Sequence, residues 1–370
     1  MKICFWGDIS GALLGNTSGG GELQIAVLAK ALAKIGHEVV IVDYNIDKEF
    51  QTDDGIKVCP VKNWNKGVRF IRTFTHRLPH LYATLRNQNA DVYYCRIRNF
   101  RHILAYWAAR KVKAKFILGI ASDLDISSFM SRWKYYYSSN SHKLWGSMDG
   151  IMSEIVYPWL LRNSDSVFVQ HEGQKQILLN KNIESFIFPN IIELDRIPNI
   201  ENQLHTDFVY VGWLDRRKGF PDFYELVNRT PNLKYKVIGP PRDKIGRILY
   251  EKLKSFKNVA LLGELNHNDT LTHIANAKAL ISTSPMEGFP NIYIEAWTYG
   301  IPVLSLNFDP GGVIERENLG TMAHGNLEKI INAMASVKNT QEFTLNSKSY
   351  VERVHFLNEN RLNQINCLFQ

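Results

Sequence analysis

The run Lys278-Ala-Leu-Ile-Ser-Thr-Ser-Pro-Met-Glu-Gly-Phe-Pro-Asn-Ile-Tyr-Ile-Glu-Ala-Trp-Thr-Tyr-Gly-Ile-Pro-Val-Leu-Ser-Leu306 decides how the chain is read. KALIST (278–283) and PVLSL (302–306) are short apolar stretches of strand length, and the residues between them suit a polar turn followed by a helix. Strand, crossover helix and strand make a parallel pair. In open parallel sheets ligands gather at the carboxyl ends of the strands, so Glu287 stands where a ligand is expected. Gly288 permits close backbone approach. Pro290 suits the first helical position, and the amides at that helix start can receive a diphosphate. Glu295 lies about one turn into the helix among apolar neighbours. A carboxylate there needs donors, and the hydroxyls of a ribose or hexose supply them.

The same alternation extends upstream. DFVYVG from residue 207, a helix from about 220, YKVIG (235–239), a further helix and NVALLG (258–263) lead into the opening run. In the first half, KICFW (2–6) precedes a Gly/Ser loop and then GELQIAVLAKALAKIG, where Leu23, Val27, Ala31 and Leu32 recur at helical spacing and Gly36 can end the helix. VVIVDY (39–44) is the next buried strand, with further strand-like runs at 91–95, 115–120 and 166–169. The polar, unperiodic ELDRIPNIENQLH (193–205) reads as a linker. At 370 residues the chain suits two domains of about 150–200 each. The expected fold class is α/β: two doubly wound, Rossmann-like domains at 1–195 and 206–346, with a helix at 347–370 packing back toward the first.

Apolar residues make up 45% and charged residues 22%, an ordinary soluble composition. No apolar run approaches the 18 or so residues that cross a bilayer, and the N-terminus lacks the apolar region of a signal peptide; the chain is expected in the cytoplasm. The four cysteines are scattered, and Cys4 and Cys95 fall inside strand-like runs, as buried free thiols do. The formal charge of +8 is uneven. Residues 60–116 hold thirteen cations against Asp91 alone, which reads as a basic surface for anionic lipid, a phosphorylated acceptor or nucleic acid. Within it Trp64, Val68, Ile71, Phe74, Leu78, Leu81 and Leu85 follow helical spacing, with Lys62, Lys66, Arg69 and Arg77 roughly opposite and Pro79 set to kink the segment. Such a stripe either packs on the sheet or lies in a membrane interface.

The EGFPNIYIEAWTYGIPV run (287–303), with Glu287 and Glu295 as an E-x7-E pair, resembles the hallmark of the retaining glycosyltransferases of family 4. The resemblance implies the GT-B architecture, two Rossmann-like domains facing a central cleft, and hexosyl transfer from a nucleotide-sugar without metal or cofactor. It implies that Glu287 contacts the transferred sugar and Glu295 the nucleotide ribose, with Gly288, Phe289, Pro290 and Asn291 lining the donor. FVYVGWLDRRKG (208–219) resembles the family's turn whose Arg and Lys neutralise the diphosphate. Lys218 takes the place of the Lys, Gly212 and Gly239 stand at strand ends on the donor side, and Trp213 replaces the Arg, leaving Arg216 or Arg217 to compensate. SGGGELQ (18–24) resembles the family's glycine loop, implying donor contacts from Gly19, Gly20 and Gly21.

Where many members have a His, this chain has Ser122 and Asp123, so Asp123 is either an acceptor-side carboxylate or an N-cap of the next helix. Asp123 and Asp125 also spell D-x-D, a metal-binding signature of another glycosyltransferase architecture. The expected reaction is retaining, metal-independent transfer from a UDP-sugar to a glycan or lipid-linked oligosaccharide in surface polysaccharide synthesis, on the inner membrane face. Rival readings are a nucleotide-sugar epimerase, an NAD-dependent oxidoreductase with Asp43 as its ribose-binding acid, and a basic nucleic-acid-binding protein. GNTSGGGE lacks G-x-G-x-x-G, and no nucleic-acid-binding motif is present.

Overall fold

The computed structural model describes residues 1–15, 19–68, 71–138, 147–193, 207–338 and 340–370. Ser18 of the glycine loop, Arg69 of the basic stretch and linker positions 194–205 lie outside them.

Eight strands build the first sheet: β1 (Lys2–Trp6), β2 (Glu38–Asp43), β3 (Phe50–Gln51), β4 (Lys57–Pro60), β5 (Val92–Arg96), β6 (Lys115–Gly119), β7 (Ser166–Val169) and β8 (Phe186–Ile187). Their order is β3-β4-β2-β1-β5-β6-β7-β8, parallel except for the β3–β4 pair. The second sheet has six: β9 (Phe208–Val211), β10 (Tyr235–Ile238), β11 (Val259–Gly263), β12 (Ala279–Ser282), β13 (Val303–Ser305) and β14 (Gly320–Met322), in the order β11-β10-β9-β12-β13-β14 and parallel throughout. The two sheets are the cores of two Rossmann-like domains.

Central strands are apolar on both faces because helices cover both faces. Along β1, Cys4 and Trp6 join one core while Ile3 and Phe5 join the other. Along β9, Val209 enters one cluster and Phe208 and Tyr210 the opposite one. Cys4, Cys59 and Cys95 are buried and Cys367 is exposed, all four as free thiols.

The 64–85 stripe does not form one amphipathic helix. Trp64 sits in a turn, Thr73–Arg77 form a π-type turn, and the α-helix Leu78–Gln88 begins with Pro79 in its first turn, where the missing N–H costs nothing. Leu81 and Leu85 are fully buried, whereas Val68, Ile71 and Phe74 are exposed. Nor is the basic stretch a single surface: Arg96 and Arg101 are buried and Arg98 nearly so, each bonded within the fold.

The closing segment is two helices, Gln341–Val354 and Glu359–Phe369, broken at His355–Asn358. The first packs on the second domain through Tyr350 and Val351. The last reaches the first domain, burying Ile365 and Phe369, with Phe369 against Tyr94 and Phe168. Where the chain recrosses, Ile192 and Phe356 form a parallel bridge, so the two crossings are hydrogen-bonded side by side.

Candidate active site

The carboxyl ends of the two sheets face a cavity of about 250 Å³. Its walls come from β9, the turns after β9 and β12, the start of the Asn291–Thr298 helix and the glycine loop of the first domain. Glu287 and Lys218 meet there, Lys218 Nζ lying 2.5 Å from Glu287 Oε1, although 69 positions separate them. Asp215 sets Lys218: its carboxylate accepts from the Lys218 amide at 3.0 Å, capping the short turn Arg216–Lys218.

Gly219 then turns the chain at φ +66, so close to Thr283 that a Cβ would lie 2.0 Å from its carbonyl oxygen. Gly20, Gly21, Gly212, Gly288, Phe289, Pro290 and Asn291 line the same cavity. Gly19 is the N-cap of the Gly20–Lys34 helix.

Four expected positions differ. Gly239 does not line the cavity; it makes room for the turn just after β9, since a Cβ there would lie 1.9 Å from the Gly212 oxygen. Arg217 is likewise outside the lining: its guanidinium is paired with Asp215 at 2.9 Å and lies 5.2 Å from the Trp213 ring centroid. Arg242 lies 4.8 Å from the same ring, so Trp213 carries two guanidiniums. Pro290 is the N-cap, not the first helical residue, with extended ψ. Ser122, not Asp123, caps the Asp123–Ile126 helix, in a capping box with Asp125.

Asp123 instead accepts from His171 Nε2 at 3.1 Å and Gln174 Nε2 at 2.9 Å, and its amide donates to the Glu287 carbonyl at 3.0 Å, joining the two domains. Asp125 is buried, and its carboxylate is taken by the Ala121 and Ser122 amides. Asp43 is fully buried and accepts from the amides of Ile9 and Ser10, so it holds the loop after β1 instead of presenting a free carboxylate.

Glu295 faces a neighbouring, mostly apolar pocket that shares Asn291 with the main cavity; Leu23, Val27 and Leu271 form its walls. Glu295 Oε1 lies 3.0 Å from His267 Nε2.

Several residues that bond across the domain boundary beside the cavity have no signature in the sequence. Asn190 accepts from Arg96 and Gln170 and donates to the Phe289 carbonyl and the Asn291 side chain, all between 2.8 and 2.9 Å. Gln24 reaches Asn291 at 3.2 Å and pairs with both backbone groups of Ile191. These partners lie up to 267 positions apart, so no local pattern in the sequence marks them.

Ile97, just beyond β5, holds φ +69, a conformation costly for a β-branched residue. Its carbonyl lies 2.6 Å from His102 Nε2, and a Cβ on Gly21 would lie 2.8 Å from its side chain. That strain sits beside the glycine loop.

Two family models together cover nearly the whole chain: "Glycosyltransferase Family 4" matches residues 18–196 and "Glycosyl transferases group 1" residues 192–354. The chain is 26% identical over 188 residues to an uncharacterized glycosyltransferase of Methanocaldococcus jannaschii, a match spanning 44% of this chain and 45% of that protein, less than half of its length. It is 22% identical over 349 residues, 89% of both chains, to an uncharacterized glycosyltransferase of Haemophilus influenzae. The crystal structure of Anabaena HepE in complex with UDP and glucose superposes with a TM-score of 0.70 at 14% identity, over 100% of this chain and 98% of that one.

Proposed function

Because the chain belongs to the family 4 glycosyltransferases of the GT-B type, we propose that it moves a hexose from a UDP-sugar to a glycan or lipid-linked oligosaccharide of a surface polysaccharide, with retention and without a metal. The observation that carries this is the Lys218–Glu287 pair across the cavity between the two sheets. The donor separates the pair: its diphosphate takes the ammonium and a sugar hydroxyl takes the carboxylate. The start of the Asn291–Thr298 helix supplies amides to the phosphates. The apolar pocket beside it suits the nucleoside, with Glu295 on the ribose hydroxyls. The UDP and glucose held by the Anabaena protein favour this donor class.

In the transfer, the acceptor oxygen bonds to the anomeric carbon on the face the nucleotide leaves. The carbon–phosphate-oxygen bond breaks, and a diphosphate oxygen takes the acceptor's proton. Lys218 balances the charge growing on the leaving group, and a fixed cation aimed at developing charge is the strongest rate effect such a site can supply. Metal independence rests on that ammonium and on Asp125 being committed to backbone amides. No helix among the described residues is long and apolar enough to cross a membrane; the exposed Lys62, Lys66, Val68, Ile71 and Phe74 suit the cytoplasmic leaflet of an anionic membrane.

Incubation with a panel of nucleotide-sugars, read by mass spectrometry for released nucleotide, tests the donor. Glu287→Ala and Lys218→Ala are each expected to lower transfer at least about a hundredfold with the melting temperature unchanged. Near-normal rates in both sink the reading. Product NMR of the new anomeric centre tests retention, and activity in chelator tests metal independence.

A further inference from the structure

The first domain contains a second cavity, of about 320 Å³, whose lining owes nothing to the Lys218–Glu287 cleft. It opens at the carboxyl ends of β1, β2 and β4, beside Trp6, Tyr44 and Trp64. Trp64 is largely buried and stacked on Tyr44, ring centroids 4.8 Å apart at 22°. The guanidiniums of Arg77 and Arg101 lie 5.0 and 5.8 Å from its centroid. The indole is therefore a fixed plate that positions two cations.

Those cations are under-answered. Asp149 is the carboxylate in the lining, and it pairs with Arg101 at 2.9 Å. Arg77 donates to neutral acceptors, the Trp64 carbonyl at 3.1 Å and Asn65 Oδ1 at 3.4 Å. Burial and the charges of Arg72 and Arg101 disfavour its protonated form. Two further donors, Arg101 Nε and Trp6 Nε1, are buried with no partner, and both residues line the cavity. A buried donor left unbonded is rare in a folded chain. An anion placed here meets a net positive wall at Arg77 and Arg101; the Arg101 Nε and Trp6 Nε1 hydrogens are sealed behind that wall and take no part, while the Asn99 and Asp149 side chains offer partners to hydroxyls.

The cavity lies on the same side of the first sheet as the donor cleft. Asn45, in its lining, donates to Asp8 at 2.6 Å just after β1. Glu22 lies in the first turn of the helix whose Gly20 and Gly21 line the donor cleft.

We propose that this cavity is a binding subsite for an acidic sugar residue of the acceptor, its carboxylate or phosphate held by Arg77 and Arg101 and its hydroxyls by Asp149 and Asn99. The inference rests on the transfer reading for the word acceptor but not for the binding.

Saturation-transfer NMR and calorimetry on the full chain test it, with glucuronate, glucose 6-phosphate, methyl glucoside and inorganic phosphate as probes and UDP as the donor-site control. Glucuronate or glucose 6-phosphate should bind at least about tenfold more tightly than methyl glucoside. A response to only one of them identifies the charged group as carboxylate or phosphate.

Arg77→Gln should weaken that binding about tenfold with UDP affinity unchanged, which also shows that the variant is folded. Asp149→Asn, which removes a negative charge, should tighten it about two- to fivefold. Equal binding of methyl glucoside, binding that ignores Arg77→Gln, or inorganic phosphate binding as tightly as glucose 6-phosphate overturns the proposal. Failure of UDP to bind the wild type counts against the donor reading instead, and leaves the sugar result to stand or fall alone.

Discussion

At Gly288 the two domains are in close contact beside Glu287 and Lys218. A Cβ there would lie 2.1 Å from both the Ala121 carbonyl oxygen and Gln170 Oε1, on the opposite domain. Gly288→Ala should therefore wedge the cleft, lowering kcat/KM about ten- to a hundredfold through misplacement while the isolated domains keep their stability. Steady-state kinetics beside a thermal melt checks this, and wild-type kcat/KM refutes it. Glu287 and Lys218 are legible at this scale because each sits in a run whose order of strand, turn and helix is local. Asp123 is legible as a position but not as a contact. Its partner His171 is 48 residues away, and nothing in either segment alone says that they meet. Gly239 and Arg217 escape a sequence reading for a related reason. A glycine or cation at a strand end looks the same whether it faces a ligand or a neighbouring chain.

Elements show the same division. Most of the parallel strands are readable because a strand covered on both faces is apolar throughout; the short strands β3, β4, β8 and β14 are not, because two to four residues carry no periodicity. The 64–85 stripe has the right spacing for a helix, yet spacing does not say which neighbours cover it. Trp64 and the part from Leu78 onward join the core, and Val68, Ile71 and Phe74 between them are exposed. Leu81→Ala should cost about 2–5 kcal/mol in urea unfolding, and Phe74→Ala within about 0.5 kcal/mol. If the exposed part touches a membrane, Phe74→Ala should also release the protein from vesicles containing phosphatidylglycerol in a flotation assay. Equal stability losses at the two positions contradict that division of the stripe.

For the whole molecule, pH is a sensitive probe because two buried imidazoles tie distant segments together. His102 lies under Trp6 with its Nε2 on the Ile97 carbonyl, and His355 bonds the Asn190 carbonyl at the crossing between domains. Burial pushes both down to about 4 from an ordinary 6.5. The unfolded rings thus take a proton first as pH falls. Their contribution is complete above about pH 6.5 and is lost on the way to pH 4, by about 2 kcal/mol per ring between pH 7 and pH 5. His355→Gln should remove about half of that acid loss, measured by urea titration at the two pH values. An unchanged pH dependence refutes the assignment.

The seating of Phe369 and Ile365 in the first domain has a consequence for biosynthesis. On the ribosome the strands of that domain emerge early, but the helix that closes one face of its core is made only after the entire second domain. At roughly 5–20 residues per second, the nascent chain spends roughly ten to forty seconds with an apolar socket open beside Tyr94 and Phe168. During that interval a chaperone, or a neighbouring nascent chain, competes for the socket.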